Sequence, residues 1–527
     1  MIKYIKTISA AALVGTAVFA TSSCNESLLE LSDPNKLTAD VAWNTQAGVE
    51  SGLTGAYHTL YNSFYTNLNA YMCSGQSDEF TSDSPDNELK SLINLNYTNY
   101  DQRWNLYTYN LLYQAIFRAN QVIIHAEEIE WSSEDKKTDV LAQARALRGM
   151  HYYYLTMLYK KAPLVDWISA PSDQPNESTF EINCKFVEDD LKYAAEKLPE
   201  SYSEVGRVNK YHALCFLGKL YMNTGDFAAA KDCFKKVIDS GKYRLTANYR
   251  DNFRHDTENN SESIFEIQNS DESPNKIGGF WGMIGNDGAD CNFGNWRERF
   301  MSASPVGFGD YIVPDWTVEM YKDEKTRDGG YDIRLRDNIV YPDLWKDFPG
   351  QVLYPGDGQI TAWRDDLWKK QSWCRKYCTD YYLDTKAATN PNAINVRILR
   401  YADVLLSYAE CLVETGAPLA DAAKYIDMVR ERVNLYPLAE SVHKSCLGDK
   451  KSFMRRLQKE RGKELMFEYD RFFDLRRWGL GTDVEYTEYV KSYSEKHRLN
   501  FVPGREWLPF PQKEVNNNPN LTQNDSF

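Results

Sequence analysis

The sequence predicts a mainly α-helical protein interrupted by one irregular, loop-rich segment. Three observations predict it. Apolar residues recur at spacings of three and four over long stretches before residue 245 and after residue 395. Between those limits Gly, Asn, Asp and Pro become frequent and the helical period fades. Beyond the N-terminus no run approaches the ~18 apolar residues of a membrane span, so the helices belong to a folded core.

The first element, residues 1–23, reads as a targeting segment and stands outside the fold. Lys3 and Lys6 precede an apolar run from Ile8 to Ala20, too short to cross a bilayer stably, which leads into Thr21-Ser22-Ser23-Cys24. Small residues directly before a Cys resemble a bacterial lipoprotein signal. By that resemblance Cys24 becomes the acylated first residue of the mature chain, and several acyl chains anchor stably where one does not. An ordinary secretory signal with an incidental Cys is the alternative. Residues 24–45 are polar and read as a tether.

The folded part is read as one domain over 46–527, in three stretches. In the first, about 46–244, Leu112, Ala115, Ile116, Ala119, Val122, Ile123 and Ala126 mark one face of a helix over 104–129. Leu141, Ala144, Leu147, Leu155 and Leu158 mark a second over 139–159, which stops before Pro163. In 208–240 two short helices flank Thr224-Gly225-Asp226, with small residues where they cross, and the pair resembles a tetratricopeptide repeat. No strict 34-residue period runs through the chain, so a regular solenoid is not indicated.

The second stretch, about 245–395, reads as a loop-rich insertion with exposed aromatics and short strands such as Ser263–Ile267. Its seven Trp speak against disorder. In the third, about 396–527, helical periodicity returns at 400–433, turning at Gly416 and Pro418. An ion-paired helix with interleaved Arg, Lys and Glu follows at 451–470. The Pro- and Asn-rich tail is expected to run extended over the surface.

Composition narrows the function. Aromatics reach 14%, with 13 Trp, 36 Tyr and 23 Phe, more than a core needs and suited to wet binding surfaces. The net charge is −14, and losing Lys3 and Lys6 with residues 1–23 makes it −16. That excludes a nucleic-acid partner, which needs a basic patch, and loose adhesion to anionic lipid. Nine Cys remain after Cys24, an odd number at scattered spacing, so no disulfide framework is indicated. Cys374 and Cys378 lack the further ligands of a metal site. The seven His are dispersed, with no His-Glu-x-x-His, no Gly-x-Ser-x-Gly elbow and no phosphate-binding Gly loop. No cofactor is expected. Asp310, Asp315, Glu319 and Asp323 are acids a glycosidase could use only at a set separation across a cleft, which spacing does not supply.

Several ordered motifs carry a family resemblance. They are the Cys24 lipobox, Ala144-Arg145-Ala146-Leu147-Arg148 with Tyr152-Tyr153, the helix pair at 208–240, and Leu399-Arg400-Tyr401-Ala402-Asp403 with Tyr408-Ala409-Glu410. Glu460-Arg461-Gly462-Lys463-Glu464, Phe473-Asp474-Leu475-Arg476-Arg477-Trp478 and Leu508-Pro509-Phe510-Pro511 complete the set. Together they resemble the SusD-like (SusD/RagB) family across essentially the whole mature chain, with Gly462-Lys463 the clearest departure. The resemblance implies four tetratricopeptide-like helix pairs under an irregular ligand-facing part. It implies an outer-membrane lipoprotein facing the cell exterior, and a lid on a SusC-like TonB-dependent barrel. It further implies glycan capture without catalysis. Peptide or other nutrient capture with the same partner is the alternative, and a surface glycosidase a more distant one.

Sugars have apolar C–H faces and a hydroxyl rim, so flat rings interleaved with Asn and Asp suit them. Two loops offer this, giving Tyr97, Tyr100 and Asp101 before a helix, and Trp281, Asn292 and Trp296 in the insertion. Loop packing also explains Trp281 and Trp296, and covering the helix start also explains Tyr97 and Tyr100. Asp78 with Glu79, Trp104, and Trp363 with Arg364 are further candidates. A helix N-terminus accounts equally for the two acids, and packing against the helices for Trp104. The run Asp328-Gly329-Gly330-Tyr331-Asp332 reads as a turn, with oxygens for a structural calcium ion as the alternative.

Overall fold

The computed structural model describes residues 43–68, 70–97, 100, 102–270, 294–468 and 470–527, and it is mainly helical. Helices α1 (Gln46–His58), α2 (Asn87–Ile93), α3 (Arg103–Glu128), α4 (Glu134–Tyr159), α5 (Phe180–Lys197), α6 (Lys210–Thr224) and α7 (Phe227–Asp239) form the N-terminal part. Most start at a side-chain cap that takes orphan N–H groups: Thr45, Asp86, Ser133, Thr179, Asn209 and Asp226. The long helices pack in chain order, α1 on α3, α3 on α4, α4 on α5, α5 on α6 and α6 on α7.

The α6–α7 pair shows why its sequence was readable. Gly225 caps α6 at φ 82°, in the left-handed region, and Asp226 caps α7 by accepting the Ala229 N–H. Gly218 lies under Phe234, where a Cβ would come within 2.6 Å of the ring, so the helices cross where only glycine fits.

β1 (Ser263–Ile267) and β5 (Val396–Arg400) pair antiparallel, Ser263 opposite Arg400, and so clasp the ends of the insertion. Between them lie α8 (Arg297–Met301), β2 (Ile312–Val313), α9 (Asp315–Tyr321), α10 (Ile333–Asn338), β3 (Ile339–Val340), α11 (Leu344–Asp347), α12 (Asp365–Trp368) and β4 (Ser372–Cys374). Strand order is β2-β4-β3, and Thr81 bridges to Ile312, tying the insertion to the N-terminal part. The chain ends with α13 (Tyr401–Glu414), α14 (Leu419–Arg432), α15 (Lys450–Leu465), α16 (Arg471–Arg477), α17 (Val484–Tyr493), α18 (Glu495–Asn500) and α19 (Gln512–Asn517). α7 packs on α13, which packs on α14 and α15, so the C-terminal helices continue the N-terminal stack. One hydrophobic core cluster draws on all three stretches, from Val49 to Leu521.

Three expectations need correction. The tail is not an extended surface strand: Leu508 and Phe510 are fully buried, α19 interrupts it, and Asn105 and Asn524 donate to Pro509 and Leu508 carbonyls. The insertion's described tryptophans are not fully exposed. Trp368 and Trp373 are buried and Trp296, Trp316, Trp345 and Trp363 half-buried. Finally, α15 is ion-paired through the interior rather than along a wet face. Arg334, fully buried, binds Asp332 at 2.7 Å, Glu460 at 2.6 Å and Glu464 at 3.1 Å. Arg430 and Arg456 share Glu324 and Glu460, while Arg400 and Arg432 share Glu262 and Glu464.

The remaining family-like motifs join this interior. Arg461 links Asp403 of α13 to Asp474 of α16, and Arg477 grips Glu410 and Asp474. Burial pushes Glu460 and Glu464 toward the neutral form, yet their guanidinium partners outweigh it and hold both well below the usual range. The motifs around 399–410, 460–464 and 473–478 therefore form an ionic frame that joins α13, α15 and α16 and ties α15 to Arg334 of the insertion.

The eight described cysteines after Cys24 are free and buried, as small hydrophobes are. Thr326 and Gly330 close a turn at 3.1 Å around Gly329, φ 84°, and Asp332 gives its oxygens to Arg334.

Candidate functional site

Cys24, Asp101, Trp281 and Asn292 lie outside the described residues. The structure brings two of the other candidates together. Tyr97 and Tyr100 both pack against Phe527, with centroids 5.4 and 5.5 Å away and planes near perpendicular. Arg505 covers Phe527 at 4.8 Å, and the Tyr97 hydroxyl donates to Gln76. The tail reaches this position because Asn524 is pinned to Tyr159 and Leu508 carbonyls at 3.0 and 2.6 Å. Both tyrosines keep part of their surface in solvent.

Trp363 belongs to a second group. Its ring meets Trp368 edge-on at 4.8 Å, and Trp345 stacks on Trp368 at 6.2 Å, 12° from parallel. Each indole N–H is spoken for: Trp363 donates to Asp365 at 2.7 Å, Trp345 to Gln351 at 2.9 Å and Trp368 to Ser304 at 2.7 Å. Those bonds fix the ring angles while Trp363 and Trp345 stay half-exposed, and exposed Arg364 and Asp366 pair beside them at 2.9 Å. Flat, oriented rings next to charged and amide groups suit a ligand with apolar faces and a hydroxyl rim.

Trp296 caps α8 and packs against the core as a half-buried ring, separate from both groups in its contacts. Asp78 and Trp104 are corrections, because the interior claims them. Asp78 is fully buried, with Arg471 across both oxygens at 2.8 Å and the Tyr493 hydroxyl at 2.9 Å. Glu79 is also buried, accepts the Phe467 N–H at 3.3 Å, and is pushed by desolvation up to about 8. Trp104 is 2% exposed and donates to Asp86 at 3.2 Å. Residues that sequence reasoning missed, Phe527, Arg505, Trp345 and Trp368, reach the sites from far along the chain. Their only signal was aromatic or cationic type.

The acids weighed as a catalytic pair do not form one among the described residues. Burial raises Asp310 to about 6, and it accepts the Ser84 hydroxyl at 2.7 Å. Asp323 lies near Glu324 and His443, a grouping able to hold a metal, but Arg456 and Lys463 bind it at 2.8 and 2.7 Å. Burial would raise its carboxyl; those cations with His443 outweigh burial and hold it far below the usual range. Four nearby cations, with Arg430 and Lys459, already supply the charge a metal would bring.

Against known proteins, residues 261–527 match the SusD family, and residues 27–222 match a family described as starch-binding and associating with the outer membrane. The chain belongs to the SusD family. SusD-like protein P25 of Formosa agariphila is 27% identical, covering 97% of each chain. The starch-binding protein SusD of Bacteroides thetaiotaomicron is 23% identical, covering 100% of this chain and 99% of that one. Among solved structures, a SusD superfamily protein of Bacteroides vulgatus superposes with TM-score 0.77 at 24% identity, over 92% of this chain and 100% of the other. Surface glycan-binding protein A of Bacteroides thetaiotaomicron, solved with laminarihexaose, superposes at 0.71 and 20% identity, over 91% and 99%. No helix among the described residues is long and apolar enough to cross a membrane.

Proposed function

We propose that this protein captures polysaccharide or oligosaccharide at the cell surface and passes it to a SusC-like, TonB-dependent outer-membrane barrel, without chemistry of its own and without a cofactor. Lipid on Cys24 would hold it to the outer membrane, facing outward, with residues 24–45 as the tether. Family membership supports the reading, and so does the one observation that carries it: two groups of oriented rings, half-exposed Tyr97, Tyr100 and Phe527, and half-exposed Trp345 and Trp363 set on buried Trp368. The three indole N–H groups and the Tyr97 hydroxyl are already bonded, so these rings meet a sugar with little ordering cost.

The test is affinity electrophoresis of the full chain through gels loaded with neutral and acidic polysaccharides, beside the Tyr97→Ala/Tyr100→Ala and Trp363→Ala variants. Retardation by at least one glycan, weakened about fivefold to tenfold in one or both variants, is expected. Binding confined to a peptide pool would replace glycan with peptide as the cargo. Release of reducing sugar would contradict the non-catalytic reading.

A further inference from the structure

A groove that shares no residue with either ring group lies between α3, the loop 163–175 and the tail around α19. It holds about 500 Å³, inside the ~300–1,000 Å³ of small-ligand sites. Tyr109 and Tyr113 of α3 form its floor, Trp167 one wall, and Glu514 and Asn518 the other. We propose that this groove is a second binding site, and that it takes a neutral oligosaccharide. The inference rests on the glycan-binding reading above for its ligand class.

Trp167 is the only exposed tryptophan among the described residues, at 38%. It is also held still. Its indole N–H donates to Asp173 at 2.9 Å, and the same carboxylate oxygen accepts the Ala170 N–H at 2.9 Å. An exposed ring with a fixed angle and a satisfied polar tip is a stacking platform.

The wall behind it is built rather than loose. Asn120 donates to the Val165 and Trp167 carbonyls at 2.9 and 3.1 Å, and Tyr113 to the Pro163 carbonyl at 2.7 Å. From the other side Asn518 donates to Pro175 at 2.8 Å and Asn520 to Gln174 at 2.8 Å. Three prolines, Pro163, Pro171 and Pro175, stiffen the loop further. A ligand therefore meets a preformed wall and orders little protein on binding.

Charge sets the ligand class. The charged residues lining the groove are Asp173 and Glu514, both acidic, and no Lys or Arg lines it. The N–H groups of Trp167 and Ala170 hold Asp173 below its usual range, so it stays ionised. Uronate or sulfated glycans would meet like charge there. A neutral sugar finds a ring for its apolar face and Asn110, Ser169 and Ser172 for its hydroxyls.

The experiment titrates the full chain by calorimetry with neutral gluco-, manno- and galacto-configured hexasaccharides and with a uronate hexasaccharide. Variants are Trp167→Ala; Asn110→Trp, which fills the groove from an exposed helix position; and, as a control outside the groove and both ring groups, exposed Val484→Ala. At least one neutral hexasaccharide is expected to bind, with affinity falling about tenfold or one binding event disappearing in both groove variants, while Val484→Ala binds as the wild type does and the groove event is absent for the uronate. Wild-type affinity and stoichiometry in both groove variants would overturn the groove while leaving glycan capture standing. Binding of the uronate alone would overturn the groove, and no binding of any hexasaccharide, neutral or uronate, by the wild type would overturn both.

Discussion

Arg334 is enclosed by Asp332, Glu460 and Glu464 with no solvent on any of the four side chains, so its removal leaves three buried anions with one cation fewer. Arg334→Leu should cost about 3–5 kcal/mol in denaturant unfolding, far more than a surface ion pair. Glu79 makes a second, pH-dependent prediction. Its folded value, raised by burial to about 8 from 4.5, means the folded state holds a proton that the unfolded state has released between those pH values. Its contribution is thus full below pH 4.5 and lost as pH rises through 8, on the order of 5 kcal/mol. Glu79→Gln should stabilise the protein more at pH 9 than at pH 6, read as unfolding midpoints; an equal effect at both would refute the buried, protonated carboxyl. Neither residue's role was legible in the sequence. An acid in a list of 75 looks the same whether it faces water, sugar or Arg471, and Asp78 was read as a ligand group for that reason.

At the scale of elements the sequence was most legible where periodicity and punctuation agree. α3, α6, α7, α13 and α14 fall within a few residues of their apolar stripes, and Thr224-Gly225-Asp226 is both the C-cap of one helix and the N-cap of the next. α4 begins earlier than its stripe because Ser133 caps a polar first turn, Glu134-Asp135-Lys136-Lys137, that carries no apolar signal. β1 was readable as a short apolar run, but its partner β5, more than a hundred residues on, was not, because pairing leaves no local trace. The same non-locality hid the site: Phe527 and Tyr97 meet only after the tail folds back. Two glycines separate packing from backbone strain. Gly218→Leu should cost about 1–3 kcal/mol by driving into Phe234. Gly225→Ala, with open space around its Cβ, should cost only the ~1–2 kcal/mol of a left-handed residue. A Gly218→Leu variant that unfolds at the wild-type temperature would refute the close crossing of α6 and α7.

Across the whole molecule, the helical stack and the insertion divide the work. The charged residues of the family motifs bury themselves in an ionic frame, while the rings proposed to meet ligand, Tyr97, Tyr100, Phe527, Trp345 and Trp363, keep part of their surface in solvent. A net charge of −14 fits a surface that takes up uncharged cargo and not nucleic acid. It also predicts little salt dependence for neutral glycans, because stacking and hydroxyl bonds carry no counterion term. The most direct test of the account is affinity electrophoresis of the full chain against a panel of polysaccharides. Clear retardation on a neutral glycan, weakened when Tyr97 and Tyr100 or Trp363 become Ala, is the predicted result. Unretarded migration on every glycan, by protein whose unfolding transition shows it folded, would contradict it.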